Sequence, residues 1–230
     1  MTIFKFLSVA AIAVFFLSGC ASIETKMEAF PKMYGENSKP LSIVVVPSIN
    51  KTTAADAAEL INATLTQPFA DSGYYVLPIA ISSEIFRREG VVAGEQLLSA
   101  PMSIFKDNFG ADAVLFITIN KWDKNYMVVA ANVTVGMSYV LMSTKDREIL
   151  WSYDAAIVVD TSGQSSGFIL LDLVKTAITT AATDYVPIAT QVNNTAVTAL
   201  PFGAYHPKSG EDRDLRVVLT KSKEKALEAQ

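Results

Sequence analysis

The segment LSIVVVP, residues 41–47, is a continuous run of mostly β-branched residues that ends at a proline. An apolar run without polar alternation is typical of a strand buried on both faces of a parallel sheet. A second short apolar segment, Tyr74–Leu77, ends at Pro78, and residues 54–69 between the two segments place apolar side chains at helical spacing. Two buried strands joined by a helix predict a parallel, right-handed βαβ unit.

The segments that follow predict an antiparallel extension of this sheet. A third strand begins at about Ala113, and residues Tyr126–Met142 then alternate between apolar and small or polar side chains. The turn sequence STKDRE, residues 143–148, leads into an apolar segment over Glu148–Val159. These three segments predict a three-stranded antiparallel meander after the βαβ unit.

The remaining periodic segments predict helices. Pro68 lacks a backbone N–H, so the first helix is expected to kink or end near Gln67. Further helices are expected over residues 84–89, 101–108, 168–185 and 188–200, and Trp122 and Trp151 are expected in the core. The sequence therefore predicts one mixed α/β domain, three-layer-like, with helices at its C-terminal end.

The first twenty residues have the features of a secretory signal. Lys5 supplies a positive charge, and Phe6–Leu17 is an apolar stretch of signal-peptide length that is too short to span a bilayer. It ends in Leu17-Ser18-Gly19-Cys20, which resembles the bacterial lipobox. Cleavage between Gly19 and Cys20 would make Cys20 the first mature residue, with its thiol carrying a diacylglycerol. Acyl chains such as palmitate would then be the membrane anchor.

The residue after the lipobox predicts the membrane to which the protein is sorted. In lipoproteins with this motif an aspartate at this position favours the inner membrane, so Ala21 predicts the periplasmic face of the outer membrane, with surface exposure left open. The expected organisation is a signal peptide (1–19), a lipidated tether (20–40), a globular domain (41–205) and a polar C-terminal tail (206–230). Four residues of the tether could nevertheless dock on the body: Met27, Phe30, Met33 and Tyr34.

Composition argues against several classes of function. One cysteine excludes an internal disulfide, and one histidine with one cysteine excludes the usual zinc ligand sets. The net charge of −4 and the lack of a Lys/Arg stripe argue against nucleic-acid binding. No metal and no cofactor is expected.

One motif has the form of a catalytic elbow. Gly163-Gln164-Ser165-Ser166-Gly167 fits G-x-S-x-G, and Asp172 or Asp184 and then His206 follow in hydrolase order. The preceding strand, however, belongs to a meander, and no later strands return the acid and the histidine to Ser165. A flexible loop with a serine N-cap is the simpler interpretation. His206 itself is expected to be a local packing residue, with a ligand or partner contact as the alternative.

Four segments together resemble one family: LSIVVVPSIN, TLTQPFADSGYYVLPIA, FGADAVLFITI and LPFGAYHPK. They are similar to the bacterial lipoproteins of unknown function typified by a neisserial genome-derived antigen. The resemblance covers most of residues 20–210. It implies a fold similar to the amino-terminal domain of TolB, an accessory role beside a CsgG-like lipoprotein, and a homodimer as one assembly. It supplies no catalytic residues.

Three hypotheses about function follow. The first is a non-enzymatic outer-membrane lipoprotein that assembles with other envelope proteins. The second is a periplasmic module that binds a small molecule or lipid in an apolar pocket. The third, least favoured, is a serine hydrolase that uses Ser165.

Overall fold

The computed structural model describes residues 22–35, 39–126, 131–160, 168–170 and 185–219. The strands in these ranges are β1 (Ser22–Thr25), β2 (Ser42–Val45), β3 (Ile49–Asn50), β4 (Tyr75–Val76), β5 (Ala113–Tyr126), β6 (Ala131–Ser143), β7 (Ile149–Asp160), β8 (Phe168–Leu170) and β9 (Arg216–Leu219). The α-helices are α1 (Lys26–Ala29), α2 (Ala57–Asp71), α3 (Ile79–Arg88), α4 (Ser103–Phe109) and α5 (Val186–Thr198). Two 3₁₀ turns cover Pro31–Tyr34 and Gly94–Leu97.

The main sheet has the strand order β4-β2-β5-β6-β7-β8, and β3 continues the line of β2 beside β5. β2 pairs in parallel with both β4 and β5, which confirms the predicted βαβ unit. β5, β6, β7 and β8 are successively antiparallel, so the predicted meander is also confirmed. The first and last described strands, β1 and β9, pair with each other and form a separate two-stranded antiparallel ribbon.

Helices cover both faces of the sheet. On one face α2 and α5 pack over a large core whose centre is Trp151, in edge contact with Phe69 at 6.1 Å between ring centroids. On the other face α3 and α4 contribute Phe86 and Phe105 to a smaller core. Alternate residues of β2 supply the two cores, as expected for a strand buried on both faces. The mixed α/β fold expected from the sequence is confirmed.

The first core helix does not end where the sequence indicated. α2 continues through Pro68 to Asp71, with Pro68 and Phe69 both buried. The Ser72 hydroxyl donates a hydrogen bond to the Pro68 carbonyl at 2.8 Å, and the Ser72 and Tyr74 amides close the end of the helix. Burial of this last turn against the sheet therefore outweighs the cost of a proline inside a helix.

A second correction concerns the beginning of the helix predicted over 168–185. Phe168–Leu170 is a strand that pairs with Ile157–Val159 of β7. A short apolar run fits a helix and a strand equally well by periodicity, and the free edge of β7 selects the strand. Residues 171–184 lie outside the described residues. Among the described residues, no helix is both long and apolar enough to cross a bilayer.

The described parts of the expected tether and of the expected polar tail are folded. Residues 22–35 of the expected tether form β1, α1 and a 3₁₀ turn, and Phe30, Met33 and Tyr34 are buried in the main core. Residues 206–219 of the expected tail pack on the same side and end in β9. The folded body therefore includes most of both segments.

Candidate functional site

The two chain ends meet in one structure, and we call it the clasp: the β1–β9 ribbon together with Lys26, Asp212, Phe202 and Tyr34. Ser22 pairs with Leu219, and Thr25 pairs with Arg216. A capping box then starts α1, because the Thr25 hydroxyl accepts the Glu28 amide at 3.2 Å while the Glu28 carboxylate accepts the Thr25 amide at 2.8 Å. The turn from β1 into α1 directs Lys26 into the protein.

Lys26 is the buried centre of the clasp. Its side chain is only 4% exposed, and its ammonium donates to the Leu200 carbonyl at 2.7 Å and to Asp212 Oδ2 at 3.3 Å. The same ammonium lies 4.9 Å from the centroid of the Phe202 ring. Burial lowers the pKa of Lys26 below its usual value, while the Asp212 carboxylate opposes that change.

Asp212 is fully buried and connects the tail to the N-terminal segment. Its Oδ2 also accepts the Phe202 amide at 2.7 Å. Burial raises the pKa of Tyr34, and the nearby negative charge of Asp212 raises it further. The Tyr34 hydroxyl and Asp212 Oδ1 are both buried, and neither has a hydrogen-bond partner among the described residues. Burial and then Asp212 likewise raise the pKa of Tyr74, whose hydroxyl donates to the Pro201 carbonyl at 2.6 Å.

The segment before Asp212 is fixed by further contacts. Lys39 donates to the Phe202 carbonyl at 2.6 Å and to the Ser209 hydroxyl at 3.2 Å. His206 stacks on the Phe202 ring with 3.7 Å between centroids, and its Nδ1 accepts the Lys208 amide at 3.1 Å. The imidazole is thus engaged in local packing and hydrogen bonding. A partner or ligand contact by His206 stays a prediction.

Two glycines allow the tail to lie directly against the turn after α2. Gly203 donates its amide to the Ser72 carbonyl at 2.8 Å, and Tyr205 donates to the Gly73 carbonyl at 3.1 Å. A Cβ at Gly203 would overlap the Gly73 carbonyl oxygen, and Gly73 itself has φ +90°. Close backbone contact, rather than side-chain packing, therefore joins these two turns.

A cleft of about 640 Å³ lies beside the clasp. Nine of its twelve lining residues are charged or polar by type, and they include the ion pairs Lys32–Glu148 at 2.9 Å and Lys106–Asp112 at 2.7 Å. A pocket for a lipid is expected to be lined predominantly by apolar residues, and three of these twelve are apolar.

The residues singled out from the sequence fall into two groups. Gly19, Cys20 and the Gly163–Gly167 motif with Ser165 lie outside the described residues. Trp122 and Trp151 are core residues, as predicted. Within the described ranges, no group of three or more His, Cys, Asp or Glu side chains is arranged to hold a metal ion.

Sequence reasoning did not find Lys26 or Asp212. Each is a charged residue in a polar segment, where a solvated position is the ordinary expectation. The available signal was indirect: Phe30, Met33 and Tyr34 are too apolar for a solvated tether, and all three are buried.

Comparison with known proteins identifies the class to which this fold belongs. The family model described as "Putative lipoprotein GNA1162-like" matches residues 33–204. The chain therefore belongs to this family, which confirms the resemblance noted in the sequence. It is accordingly a lipoprotein of the bacterial cell envelope by family, with no enzymatic activity attached to that family name.

Individual relatives agree with this assignment. The chain is 29% identical over 184 residues to Putative lipoprotein NMB1124/NMB1162 from Neisseria meningitidis serogroup B, covering 80% of this chain and 84% of the relative. The crystal structure of lipoprotein GNA1162 from Neisseria meningitidis superposes with a TM-score of 0.51 and 28% identity. That superposition covers 55% of this chain and 88% of the neisserial chain.

Proposed function

We propose that this protein is an outer-membrane lipoprotein, anchored through Cys20 and facing the periplasm, that acts as a non-enzymatic accessory or assembly component. Its partners are other envelope proteins, with a CsgG-like lipoprotein as the first to test and a homodimer as one assembly. The observation that carries the proposal is the clasp. It makes the segment that follows the lipobox part of the folded body, so the anchor holds a rigid domain rather than a loose chain.

The electrostatics of the clasp support a structural rather than a catalytic role. The Lys26 ammonium and the Asp212 carboxylate neutralise each other away from solvent, and the other hydrogen bonds that they make are to the backbone of Leu200 and Phe202. A catalytic pair needs access for a substrate. The stacked and hydrogen-bonded His206 likewise has a local structural explanation.

Metabolic labelling with an alkyne analogue of palmitate tests the anchor. We expect the wild-type protein to be labelled and to fractionate with the outer membrane, whereas Cys20→Ala should be unlabelled and uncleaved. Ala21→Asp is the matched control, because it should keep the label and shift the protein to the inner membrane. A wild-type chain without label would refute the lipid anchor.

Crosslinking in intact cells followed by mass spectrometry tests the accessory role. We expect reproducible crosslinks to a small set of envelope proteins. A protein that is monomeric in detergent at micromolar concentration and crosslinks to none of them would contradict the assembly role.

The hydrolase alternative has its own test, since a serine-reactive probe that labels wild type and Ser165→Ala equally excludes Ser165 as nucleophile.

A further inference from the structure

The β1–β9 ribbon presents an exposed apolar side chain, Ile23, and a half-buried one, Val218, close in the chain or in pairing to the proposed lipid attachment point. In this ribbon Glu24 pairs with Val217, which is buried in the main core. Because side chains alternate along a strand, the paired residues Ile23 and Val218 face away from that core. Ile23 is 64% exposed.

Two more exposed apolar residues adjoin the ribbon where α1 begins. Met27 is 44% exposed and Leu215 is 52% exposed. The backbone joins their segments, since the Lys26 amide donates to the Leu215 carbonyl at 2.9 Å and the Met27 amide donates to the Arg213 carbonyl at 3.1 Å. We call Ile23, Val218, Met27 and Leu215 the ribbon surface.

The length of chain before β1 brings the ribbon surface close to the membrane. Ser22 is two residues after Cys20, and two residues span at most about 7 Å. This part of the argument rests on the proposed lipidation of Cys20. If that thiol carries a lipid, the short connection keeps the ribbon within a few residues of the headgroups. The twenty-residue tether that the sequence suggested would have allowed a much larger distance.

The charge of the sequence beyond β9 is also complementary to a membrane surface. Leu219 pairs with Ser22, so β9 ends beside the start of β1. Residues 220–230 contain three lysines, all within KSKEK at 221–225, and two glutamates. Lysines close in sequence to the strand that pairs with Ser22 are complementary to anionic headgroups, and apolar side chains of this size partition into the interface.

We propose that the ribbon surface is a membrane-docking surface, which rests on the phospholipid leaflet that holds the anchor and inserts Ile23 at the interface. The lipid then supplies attachment, and the ribbon surface sets the orientation of the domain on the membrane. The exposed Ile81 and Val92 lie within and just after α3, which contributes Phe86 to the smaller core, whereas β9 contributes Val217 to the larger one, and they remain available to periplasmic partners.

Depth measurements on spin-labelled protein test this proposal. The wild-type chain has a single cysteine, and acylation consumes it, so an introduced cysteine is the only free thiol. Ile23→Cys and Leu215→Cys report on the ribbon surface, while Ile81→Cys and Val92→Cys, at positions 62% and 77% exposed, are matched controls. Each full-length, processed and acylated protein is placed in vesicles of phosphatidylethanolamine and phosphatidylglycerol.

We expect the ratio of oxygen to nickel-chelate collision rates to be several-fold higher for labels at 23 and 215 than at 81 and 92. Equal, aqueous ratios at all four positions on acylated protein would overturn the docking surface and leave the lipid anchor intact. Dipolar broadening at 23 with an aqueous ratio would place a second copy of the chain there, and would also overturn it. Failure of acylation would instead refute the proposed function.

Discussion

Lys26 and Asp212 form an ion pair between positions 186 residues apart, with Lys26 Nζ 3.3 Å from Asp212 Oδ2. Their side chains are 4% and 0% exposed. The pair joins α1, which follows β1, to the segment before β9. It therefore makes the N-terminal part of the described chain an integral part of the fold.

Replacement of Lys26 by methionine should strongly destabilise the protein. The substitution keeps most of the side-chain volume but leaves the Asp212 carboxylate buried without its cation, which typically costs about 3–5 kcal/mol. The free energy of unfolding in urea measures this cost. Lys32→Met is the control, because the exposed Lys32–Glu148 pair should contribute at most about 1 kcal/mol. Equal losses in the two variants would show that the buried pair has no special role.

Removal of the Asn193 side chain should disrupt the contact between α5 and its neighbours. Asn193 is fully buried, accepts the Tyr139 hydroxyl at 2.8 Å, and donates to the Ile61 carbonyl at 3.0 Å and the Thr64 hydroxyl at 2.9 Å. Asn193→Leu leaves the buried Tyr139 hydroxyl without this acceptor and removes one hydrogen bond each from Ile61 and Thr64, so we expect a loss of about 2–3 kcal/mol in the free energy of unfolding. The exposed neighbour provides the control, Asn194→Leu, which should change stability little. A thermal melt that is the same for both variants would contradict the role assigned to this network.

Acidification should weaken the fold partly through Asp112. Burial by itself would raise the pKa of this carboxyl, but the Lys106 ammonium at 2.7 Å and the backbone amides of Leu41 and Ser42 lower it below its usual 3.8. A carboxyl whose pKa is lower in the folded state contributes stability above its unfolded pKa and loses it as the pH falls through the folded pKa.

Urea titrations between pH 6 and pH 3 should show this difference directly. We expect the wild-type protein to lose more stability below about pH 4 than Asp112→Asn, because the variant has no carboxyl to protonate at this site. The exposed Asp107, replaced by asparagine, is the control on the adjacent helix. Parallel pH profiles for wild type and Asp112→Asn would refute the contribution of Asp112.

A methyl group at Gly203 should release the tail from the body. Its Cβ would overlap the backbone of Gly73, which cannot move without disturbing the end of α2. We expect Gly203→Ala to speed tryptic cleavage after Lys208 and Arg213, and to lower the melting temperature. Ala204→Ser changes the adjacent exposed position and should leave the cleavage rate unchanged. Slow cleavage in Gly203→Ala would show that the tail tolerates the displacement.

The elements that the sequence predicted well are those with strong local signals. Alternation along β6 predicts its buried face, and Val135, Met137, Tyr139 and Leu141 are indeed buried. The βαβ unit was likewise predictable, because an uninterrupted apolar strand can be satisfied only inside a sheet covered on both sides. The lipobox is also a local signal, since four adjacent residues follow an apolar stretch of the right length, and the cleavage before Cys20 stays a prediction.

Contacts between distant residues decided the rest. Phe168–Leu170 is a strand because β7 offers it a free edge, and α2 passes through Pro68 because the sheet buries its last turn. Lys26 and Asp212 have no local pattern that distinguishes them from solvated charges. Only the pairing of β1 with β9 brings them together. The sequence by itself predicted a lipoprotein signal and determined an α/β core, because both have local patterns. The tertiary structure decided that residues 22–35 and 206–219 belong to the folded body, because only long-range pairing and burial hold them there.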